Sequence, residues 1–353
     1  MSATIAVLPG DYIGPEIMQA GLAVLKAAAA TTNFDYQLKS YPFGGAAIDA
    51  TGEPLPEATL KGAQAADAIL LAAIGGPKWD DAPQRPEAGL LAIRKALGLF
   101  ANIRPTQVIP ALVPRSPLKA DIVSGTDFVI VRELTSGIYF GEPRELAADH
   151  AIDTMVYQAS EIERILRAGF ELAQTRRRHV TVVDKANVLA TSKLWRQIAE
   201  QVAPDYPDVT VDYEYVDAAA MKIVQQPTHF DVIITENLFG DILSDEAATI
   251  TGSLGTIPSE SRGISGPSLY EPIHGSAPDI AGTGKADPLS MINSIMLMLR
   301  NSFQANTTAD KIAKAVAATL AAGIMPPDLG GTATTESMTN AIIEQIKTRE
   351  AMN

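Results

Sequence analysis

The sequence predicts an α/β protein, and two observations indicate this class. A buried apolar strand, a polar loop and a helix follow one another repeatedly, as in "HVTVVDKANVLATSKLWRQIAEQV" and "FDVIITENLFGDILSDEAATITGSLG". The run "ADAILLAAIGGPKWD" is continuously apolar and ends in a Gly-Gly-Pro turn, which is typical of a strand covered on both faces. In such folds, ligands bind at the carboxyl ends of the strands.

The other elements follow in chain order. "TIAVLPGDYIGPEIMQAGLAVLKAAAA" opens as an alternating strand, breaks at Pro9 and Gly10, and restarts as a helix. "FVIVRELTSGIYFGEPREL" alternates on either side of a Thr-Ser-Gly turn, which predicts a β-hairpin. Late segments such as "SMINSIMLMLRNSF" return to a helical pattern.

Composition excludes several classes of protein. The 353 residues predict about two domains, and apolar and charged fractions of 46% and 20% are those of a globular chain. The sequence has no cysteine, which excludes disulfides and zinc–sulfur sites and fits a reducing cytoplasm. A net charge of −13 argues against a nucleic-acid partner. We find no signal-peptide pattern and no apolar run of the roughly 20 residues that span a bilayer, so we expect a cytoplasmic protein without a membrane partner.

The stretch "EAGLLAIRKAL" reads as a helix with two apolar sides. At about 100° per residue, one small apolar stripe is suited to packing on a core. It consists of Gly89, Ala92, Ile93, Ala96 and Leu97. A second stripe lies roughly 140° around the helix. It consists of Glu87, Leu90, Leu91 and Arg94. Taken alone, two leucines there are explained by a second helix packed on that side.

Three aspartates are candidate metal ligands. Asp241 and Asp245, in "GDILSDEA", are one helical turn apart and share a face, while Asp217 follows a strand in "VDYEYVDAAAM". Carboxylates without cysteine or a nearby histidine suit a hard cation, Mg²⁺ or Mn²⁺. The alternative is structural: Asp241 is a helix N-cap after Gly240, and Asp245 is a surface charge.

Arginines, a tyrosine and a lysine are further candidates. Arg94, Arg104 in "ANIRP" and Arg132 in "VRE" can bind carboxylates through paired hydrogen bonds. Arg132 lies within an apolar strand, where a structural ion pair with a neighbouring acid is an equal alternative. Tyr139 and Lys185 both titrate near pH 10 in water, so each needs a perturbed environment to exchange protons at neutral pH. Packing and surface exposure are their ordinary roles.

The usual nucleotide-binding patterns are absent from the sequence. "GTGKAD" only approaches G-x-G-x-x-G and follows no predicted strand. His150, His179 and His229 are scattered, whereas His274 lies in the glycine- and proline-rich loop "EPIHGSAPDIAG". Asp279 in that loop can accept hydrogen bonds from a ribose diol, or it forms a turn.

Read together, the segments resemble the isocitrate/isopropylmalate family of β-decarboxylating dehydrogenases. The resemblance covers nearly the whole chain. It rests on "GLLAIRKAL", "ANIRP", "VRELTSGIYFGEPR", "VDKANVLATSKLWR", "TENLFGDILSDEAA", "GSLGTIPS" and "EPIHGSAPDIAG", all in the family's order. It implies a two-domain α/β fold with a large mixed sheet, which is not a Rossmann fold. Residues 1–99 and 252–353 would form the first domain, on the cofactor side. Residues 100–251 would form the central, dimerising domain with the metal and substrate residues.

The resemblance also implies an activity: NAD-dependent oxidative decarboxylation of 3-isopropylmalate to 4-methyl-2-oxopentanoate and CO₂ in leucine biosynthesis. The active sites would be shared across a homodimer, and Lys185 and Asp217 would come from the partner subunit. Lys185 would assist deprotonation of the hydroxyl, and Tyr139 would protonate the carbon after CO₂ leaves. Mg²⁺ or Mn²⁺ would be held by Asp217, Asp241 and Asp245.

Binding roles follow from the same resemblance. The substrate would be bound by Leu90, Leu91, Arg94, Arg104, Arg132 and Val188. The NAD cofactor would be bound by Gly76, Glu87, His274, Gly275, Ser276, Ala277, Pro278, Asp279, Ile280 and Asp287. In this interpretation the two leucines accept the isopropyl group, with Val188 opposite and Glu87 facing the nicotinamide. Isocitrate dehydrogenases typically have Ser and Asn at the leucine positions.

Two other functions are alternatives to this one. A sister enzyme acting on malate or tartrate would not need the leucine pair, and a catalytically idle binding protein would lack part of the Asp, Arg, Lys and Tyr set.

The chain departs from the family pattern at Tyr12 and Ala72, where glycine is usual, and at Asp287, where asparagine contacts adenine. An ionised Asp287 can only accept hydrogen bonds, so these departures predict altered cofactor affinity.

Overall fold

The computed structural model describes residues 2–348, which fall into two compact units. Unit 1 comprises Met1–Leu99 and Ser253–Asn353, and unit 2 comprises Phe100–Gly252. Across the described residues, no helix is both long enough and apolar enough to cross a membrane.

Strands and helices alternate along most of the chain. The strands are β1 (Ala3–Gly10), β2 (Tyr36–Ser40), β3 (Ala68–Ala73), β4 (Ala101–Gln107), β5 (Asp127–Glu133), β6 (Glu145–Leu146), β7 (Ala151–Ile152), β8 (His179–Asp184), β9 (Thr210–Tyr215), β10 (Val232–Thr235), β11 (Pro258–Arg262) and β12 (Ser268–Pro272). The α-helices are α1 (Gly14–Ala30), α2 (Gly45–Thr51), α3 (Glu57–Gln64), α4 (Pro86–Ala96), α5 (Ala120–Val123), α6 (Ala159–Gln174), α7 (Ala190–Val202), α8 (Val216–Gln225), α9 (Asn237–Ile250), α10 (Leu289–Asn301), α11 (Asn306–Ala321) and α12 (Thr335–Thr348).

Unit 1 is built on the strand order β2-β1-β3-β12-β11. The pairs of β1 with β2 and β3, and of β3 with β12, are parallel, whereas β11 and β12 are antiparallel. All six residues of β3, "AILLAA", are buried, as its continuously apolar sequence predicts for a central strand. Successive side chains of β3 point to opposite faces of the sheet. Ile69 and Leu71 share one face and pack with Phe43 and Ile93.

Unit 2 has the strand order β4-β5-β10-β8-β9, and only the β4–β5 pair is antiparallel. Helices cover both faces, as the period-two burial requires. Val129 and Val131 of β5 pack on the side of α6 and α7, while Ile130 packs on the side of α8 and α9. The predicted α/β class with mixed strand directions is therefore confirmed in each unit.

The predicted hairpin around the Thr-Ser-Gly turn is wrong. β5 ends at Glu133, and Gly137–Tyr139 forms a single 3-10 turn rather than a returning strand. Both edges of β5 are already paired, with β4 on one side and β10 on the other. No ladder remains for a hairpin partner, so Tyr139 lies in a loop.

The core face of α4 also differs from the predicted stripe. Gly89 and Ile93 are buried and Leu90 packs against the core of unit 1, whereas Ala92 and Ala96 are exposed. Leu90 and Ala96 lie about 60° to either side of Ile93 at 100° per residue. The core of unit 1 is on the side of Leu90, because its larger apolar surface gains more from burial than that of alanine.

Candidate active site

Polar side chains collect at one end of the unit 2 sheet. β5, β10, β8 and β9 run parallel, so their carboxyl ends share one edge. Arg132 lies near the end of β5, Lys185 directly after β8, and Asp217 directly after β9 in the first turn of α8. Helix α9, which carries Asp241, follows β10. The topology thus brings residues that are far apart in sequence to one edge.

Arg132 is buried and paired with Asp241. Its Nη1 lies 2.5 Å from Oδ1 of Asp241, and its Nε donates to Oδ1 of Asn237 at 3.0 Å. Gly240 permits this approach, since a Cβ there would lie 2.6 Å from Cγ of Arg132. The ion pair that was one of the two alternatives for Arg132 is present in the structure. It does not exclude a binding role, because the Asp241 carboxylate remains partly exposed.

Arg104 lies against both aspartates of α9. Its Nη1 donates to Oγ of Ser244 at 2.6 Å and lies 3.5 Å from Asp241 and 3.6 Å from Asp245. Asp241 and Asp245 are one turn apart in α9 and face the same guanidinium, as their spacing predicts. Burial raises the pKa of Asp245, and the charge of Arg104 opposes that shift. Two carboxylates and two guanidinium groups are therefore concentrated in one part of unit 2.

The N-terminus of α9 is fixed by Glu236, not by Asp241. The buried Glu236 carboxylate accepts hydrogen bonds from the backbone N–H groups of Leu238 and Phe239 at 3.1 and 2.7 Å. Tyr157 donates to the same carboxylate at 3.0 Å. The N-cap alternative for Asp241 is thus wrong, because α9 begins one turn earlier than its sequence suggests. Burial raises the pKa of Glu236.

Tyr139 is also directed at Asp241. Its hydroxyl donates to Oδ2 of Asp241 at 3.0 Å, and the guanidinium carbon of Arg132 lies 5.8 Å from the centre of its ring. Partial burial, followed by the negative charge of Asp241, raises the pKa of Tyr139. The phenol therefore holds its proton at neutral pH, which suits a proton donor rather than a base.

Lys185 and Asp217 form a second group in unit 2. The Lys185 ammonium donates a short hydrogen bond to Asp217, which lowers the pKa of that carboxyl. Asp217 does not join the aspartates of α9. Within residues 2–348, the only three histidine or acidic side chains with ligand atoms within 4.8 Å of one another lie elsewhere, at His179, Asp212 and His229.

Of the substrate residues predicted in α4, Leu91 lies on its outer face, Leu90 packs against the core of unit 1, and Arg94 is partly buried. Leu91 is 46% exposed and lies about 160° around the helix from the buried Ile93. Arg94 pairs with Glu271 at 2.8 Å, and its buried Nε has no hydrogen-bond partner among the described residues. Val188, in unit 2, is 64% exposed.

Two side chains hold the loops of unit 1 that carry predicted cofactor residues. Asp11 accepts hydrogen bonds from the backbone N–H groups of Gly45, Ala46 and Gly75 at 2.7–2.8 Å. Ser276 donates from Oγ to the carbonyl of Gly75 at 2.7 Å. These bonds fix the segment before Gly76 beside the segment that begins at His274. Glu87 also lies here, because a Cβ on Gly75 would be 2.5 Å from its Oε1.

A pocket of about 610 Å³ in unit 1 contains most of the remaining predicted cofactor residues. It is lined by Ile13, Gly255, His274, Gly275, Ala277, Ile280, Lys285, Asp287, Pro327 and Asp328. Such a volume suits a small organic ligand. Pro278 lies in the adjoining 3-10 turn Pro278–Ile280, and Asp279 in the same turn is exposed.

Two polar groups in the pocket lack partners. His274 donates from Nδ1 to the carbonyl of Gly275 at 2.9 Å, and burial lowers its pKa, so the ring is neutral and Nε2 is an acceptor. Burial, reinforced by Asp328, raises the pKa of Asp287 well above its ordinary value. In the part of the chain that is described, neither Nε2 of His274 nor Oδ2 of Asp287 has a hydrogen-bond partner. The raised pKa favours the protonated form of Asp287, which can donate as well as accept a hydrogen bond.

Tyr12 departs from the family pattern at a strained backbone position. Its φ is +50°, in the left-handed region where glycine carries no steric cost. The ring packs edge-on against Trp79, with ring centres 5.7 Å apart. This packing holds the side chain over Gly76, where a Cβ would lie 2.2 Å from the ring. The other departure, Ala72, is buried within β3.

Sequence reasoning missed the residues that position this machinery. Asp11, Glu236 and Glu271 are acidic side chains that are buried and hydrogen-bonded to loops, a helix start and Arg94 respectively. Each lies close in sequence to a residue discussed above, namely Tyr12 in "GDYIGPE", Asp241 in "TENLFGD" and His274 in "EPIHG". Their role depends on partners up to 177 positions away, and no local pattern encodes such a distance.

Comparison with known proteins gives consistent results. The family model described as isocitrate/isopropylmalate dehydrogenase matches residues 4–346. A 3-isopropylmalate dehydrogenase of Listeria innocua is 60% identical, over 98% of this chain and 99% of that protein. One from Streptococcus thermophilus is 58% identical, over 98% of this chain and 100% of that protein. The crystal structure of isocitrate dehydrogenase from Methylococcus capsulatus matches with a TM-score of 0.88 at 35% identity, over 98% and 99% of the two chains.

Proposed function

The chain belongs to the isocitrate/isopropylmalate dehydrogenase family, and we propose that it oxidises and decarboxylates 3-isopropylmalate with NAD⁺. The products are 4-methyl-2-oxopentanoate, CO₂ and NADH, and the reaction belongs to leucine biosynthesis. The observation that carries the choice of substrate is Leu91, an exposed apolar side chain on the face of α4 opposite Ile93. An apolar group there suits an isopropyl substituent, whereas malate and tartrate offer it nothing to bury.

Arginines would bind the two carboxylates of the substrate. Arg104 and Arg132 are buried and already arranged around the α9 carboxylates, so their side chains lose little conformational freedom on binding. Arg94 is held by Glu271, while its Nε is without a partner in the described chain and can donate to a ligand. Val188 and Leu90 would complete the apolar wall beside Leu91.

The aspartates have the donor chemistry for Mg²⁺ or Mn²⁺. Asp241 and Asp245 present hard carboxylate oxygens one turn apart on α9, and such oxygens suit these cations. When bound, the ion would acidify the substrate hydroxyl and stabilise the negative charge that develops on its oxygen. Asp217 would supply a third carboxylate, and it is kept ionised by Lys185.

The proton transfers are assigned to Lys185 and Tyr139. Lys185, in its neutral amine form, would accept the hydroxyl proton as hydride passes to the cofactor. Tyr139 keeps its proton because burial and Asp241 raise its pKa, and it would protonate the carbon from which CO₂ departs. Lys185 would thus accept a proton, and Tyr139 would donate one.

The NAD⁺ cofactor would take its place in the unit 1 pocket. The neutral His274 offers an acceptor and the protonated Asp287 a donor, which together match the amino group and neighbouring ring nitrogen of adenine. Gly275, Ser276, Ala277 and Ile280 would line the approach, Asp279 would bind the ribose hydroxyls, and Gly76 and Glu87 would lie toward the nicotinamide.

A homodimer with shared active sites belongs to the same proposal. Met221 on α8 and Ile242 on α9 are exposed apolar side chains on adjacent helices, and Leu146 is exposed on the β6–β7 ribbon. Asp217 is not grouped with Asp241 and Asp245 within residues 2–348, which is the arrangement expected when a partner subunit completes the metal site. We further propose a cytoplasmic location, which the cysteine-free composition supports.

A substrate panel tests the proposal. Purified protein is assayed with NAD⁺ and Mn²⁺ on 3-isopropylmalate, isocitrate, malate and tartrate, and NADH and CO₂ are both measured. We expect 3-isopropylmalate to give the highest kcat/KM and to release one CO₂ per NADH. Equal or higher efficiency on malate, tartrate or isocitrate would overturn the assignment of substrate.

A further inference from the structure

Two of the four scattered histidines meet at the amino-terminal end of the unit 2 sheet. His179 is the first residue of β8, Asp212 lies in β9, and His229 ends the turn that follows α8. The two imidazole rings lie edge-on with centres 5.3 Å apart. None of the three residues has a role in the dehydrogenase reaction proposed above, whose groups in unit 2 follow the opposite ends of β8 and β9.

The three side chains converge on a single oxygen. Nε2 of His179 lies 3.1 Å from Oδ2 of Asp212, and Nε2 of His229 lies 3.3 Å from the same atom. Ligand atoms of all three residues lie within 4.8 Å of one another. Zinc bonds of about 2.0–2.1 Å at tetrahedral angles hold neighbouring ligand atoms about 3.3 Å apart. The spacing therefore matches that of ligands around one metal ion.

Polar atoms in this cluster are unsatisfied. Oδ1 of Asp212 and Nε2 of His229 are buried and lack a hydrogen-bond partner among residues 2–348. Thr181 pairs with Asp212 in the register of β8 and β9, so the two side chains share one face of the sheet. Thr181 is fully buried, and its hydroxyl is likewise without a partner in the described structure. Buried polar groups without partners indicate that a bound ion or water belongs there.

Nearby positive charge is neutralised. Arg176 pairs with Asp231 at 2.8 Å, and Arg178 approaches Asp208 at 3.8 Å. Asp212 is thus the carboxylate that faces the two imidazoles, and the arginines that precede His179 have acidic partners of their own. A divalent cation at the cluster would meet one negative and two neutral ligands.

We propose that His179, Asp212 and His229 form a binding site for a divalent transition-metal ion of the Zn²⁺ type. Two imidazole nitrogens and one carboxylate oxygen are ligands that Zn²⁺ accepts, and they suit Mg²⁺ poorly. Three protein ligands leave at least one position for water. Such an ion would join β8, β9 and the turn after α8, and it would stabilise unit 2 independently of the dehydrogenase reaction.

Calorimetry with Zn²⁺ alone tests the proposal. Tag-free full-length protein is freed of metals with a chelator and kept in excess Mg²⁺, which would occupy the proposed site at the aspartates of α9. We expect one Zn²⁺ per chain. We also expect the affinity to fall on the order of 10-fold or more in His229→Gln and in His179→Gln, because each removes one of three ligands. His150→Gln, an exposed histidine in the same unit, is the matched control and should bind as the unmodified protein does.

Thermal unfolding gives a second measurement. Zn²⁺ should raise the Tm of the unmodified protein and of His150→Gln, and it should leave the Tm of both cluster variants unchanged. The proposal is overturned if Mg²⁺-saturated protein binds no Zn²⁺, or if both cluster variants bind it with unchanged affinity. It is equally overturned if binding persists in His229→Gln and disappears in Asp245→Asn, since the Zn²⁺ would then lie at the α9 carboxylates.

Discussion

The Tyr139 hydroxyl donates a hydrogen bond to Oδ2 of Asp241, while Arg132 donates one to Oδ1 of the same carboxylate. One aspartate thus connects the proposed proton donor with a proposed binding site for a substrate carboxylate. Its negative charge helps to raise the pKa of Tyr139, and the same aspartate would hold the metal. The same carboxylate is oriented by Arg132 before any ligand binds.

Replacement of Tyr139 by Phe should separate oxidation from the final proton transfer. We expect overall turnover to fall about 10²-fold, the usual contribution of one general acid, while Mn²⁺ binding stays unchanged. Rapid-mixing measurements of NADH and of 4-methyl-2-oxopentanoate should show reduced cofactor appearing ahead of product. Tyr213→Phe, in β9, is the control and should behave as the unmodified enzyme. A Tyr139→Phe enzyme with near-normal turnover would exclude the acid role.

Replacement of Lys185 by Met should abolish hydride transfer in the intact protein. We expect at least about 10²-fold lower turnover, because a general base contributes that much or more. Mn²⁺ should still bind. Without Lys185 the pKa of Asp217 rises from its lowered value toward the ordinary one, and a carboxyl with an ordinary pKa is still ionised at neutral pH. Single-turnover NADH formation and Mn²⁺ titration test the two parts, and more than about a tenth of normal turnover would contradict the first.

The two leucines of α4 should differ in their effects. If the isopropyl group is buried here, its three carbons give about 2.4 kcal/mol, or roughly 60-fold preference over malate. Leu91→Asn should remove most of that preference at little cost in Tm, because Leu91 lies away from the core. Leu90→Ser should lower both selectivity and Tm, since Leu90 packs against the core of unit 1.

Ala92→Ser is the matched control for the leucine variants, because Ala92 is an exposed neighbour on the same helix. Efficiency on 3-isopropylmalate and malate is measured for each variant together with its Tm. If Leu91→Asn keeps the full preference and loses stability, Leu91 packs on protein rather than on substrate.

NAD⁺ should be strongly preferred to NADP⁺. Asp279 is exposed beside the pocket and would repel a 2′-phosphate, and like charges brought together cost several kcal/mol. Lys285 also lines the pocket and carries the opposite charge. We expect Asp279→Ser to lower the ratio of NAD⁺ to NADP⁺ efficiencies more than about tenfold, whereas Lys285→Ala, which removes a positive charge from the pocket, should not lower that ratio. Comparable efficiencies in the unmodified enzyme would refute this assignment.

The KM for NAD⁺ should rise with pH. Burial, then Asp328, raise the pKa of Asp287, so below that pKa the carboxyl is protonated and donates a hydrogen bond to the cofactor. As the pH rises through it, the proton and the donor are lost. The stability contributed by Asp287 falls in the same direction, because the unfolded chain releases its proton at lower pH.

Asp287→Asn tests this dependence, since an amide donates at every pH and should give a KM that does not respond to pH. KM for NAD⁺ is measured for both enzymes from weakly acidic to alkaline pH. Identical profiles would show that Asp287 does not carry the effect.

Much of this protein could be predicted from sequence. The repeat of apolar strand, polar loop and helix predicts the α/β class, and the ordered motifs from "GLLAIRKAL" to "EPIHGSAPDIAG" predict the family, which the comparisons confirm. The shared face of Asp241 and Asp245 was predicted as well. These features depend on residues close together in the chain, because the spacing of side chains along a helix or a strand is visible in the sequence itself. The roles of the site residues stay predictions.

Only the tertiary structure decided which groups meet and which protons they hold. The cap of α9 is local, but only the structure shows that it is Glu236 and not Asp241. Arg94 pairs with Glu271, and His179 meets His229, across separations in the chain that carry no signal. The failed hairpin has the same cause, because β5 already had partners on both edges. Asp287 is an ordinary acid in the sequence, and its burial in the fold raises its pKa. Which side chains pair depends on long-range packing, and which acids keep a proton depends on desolvation. Both arise only when the chain has folded.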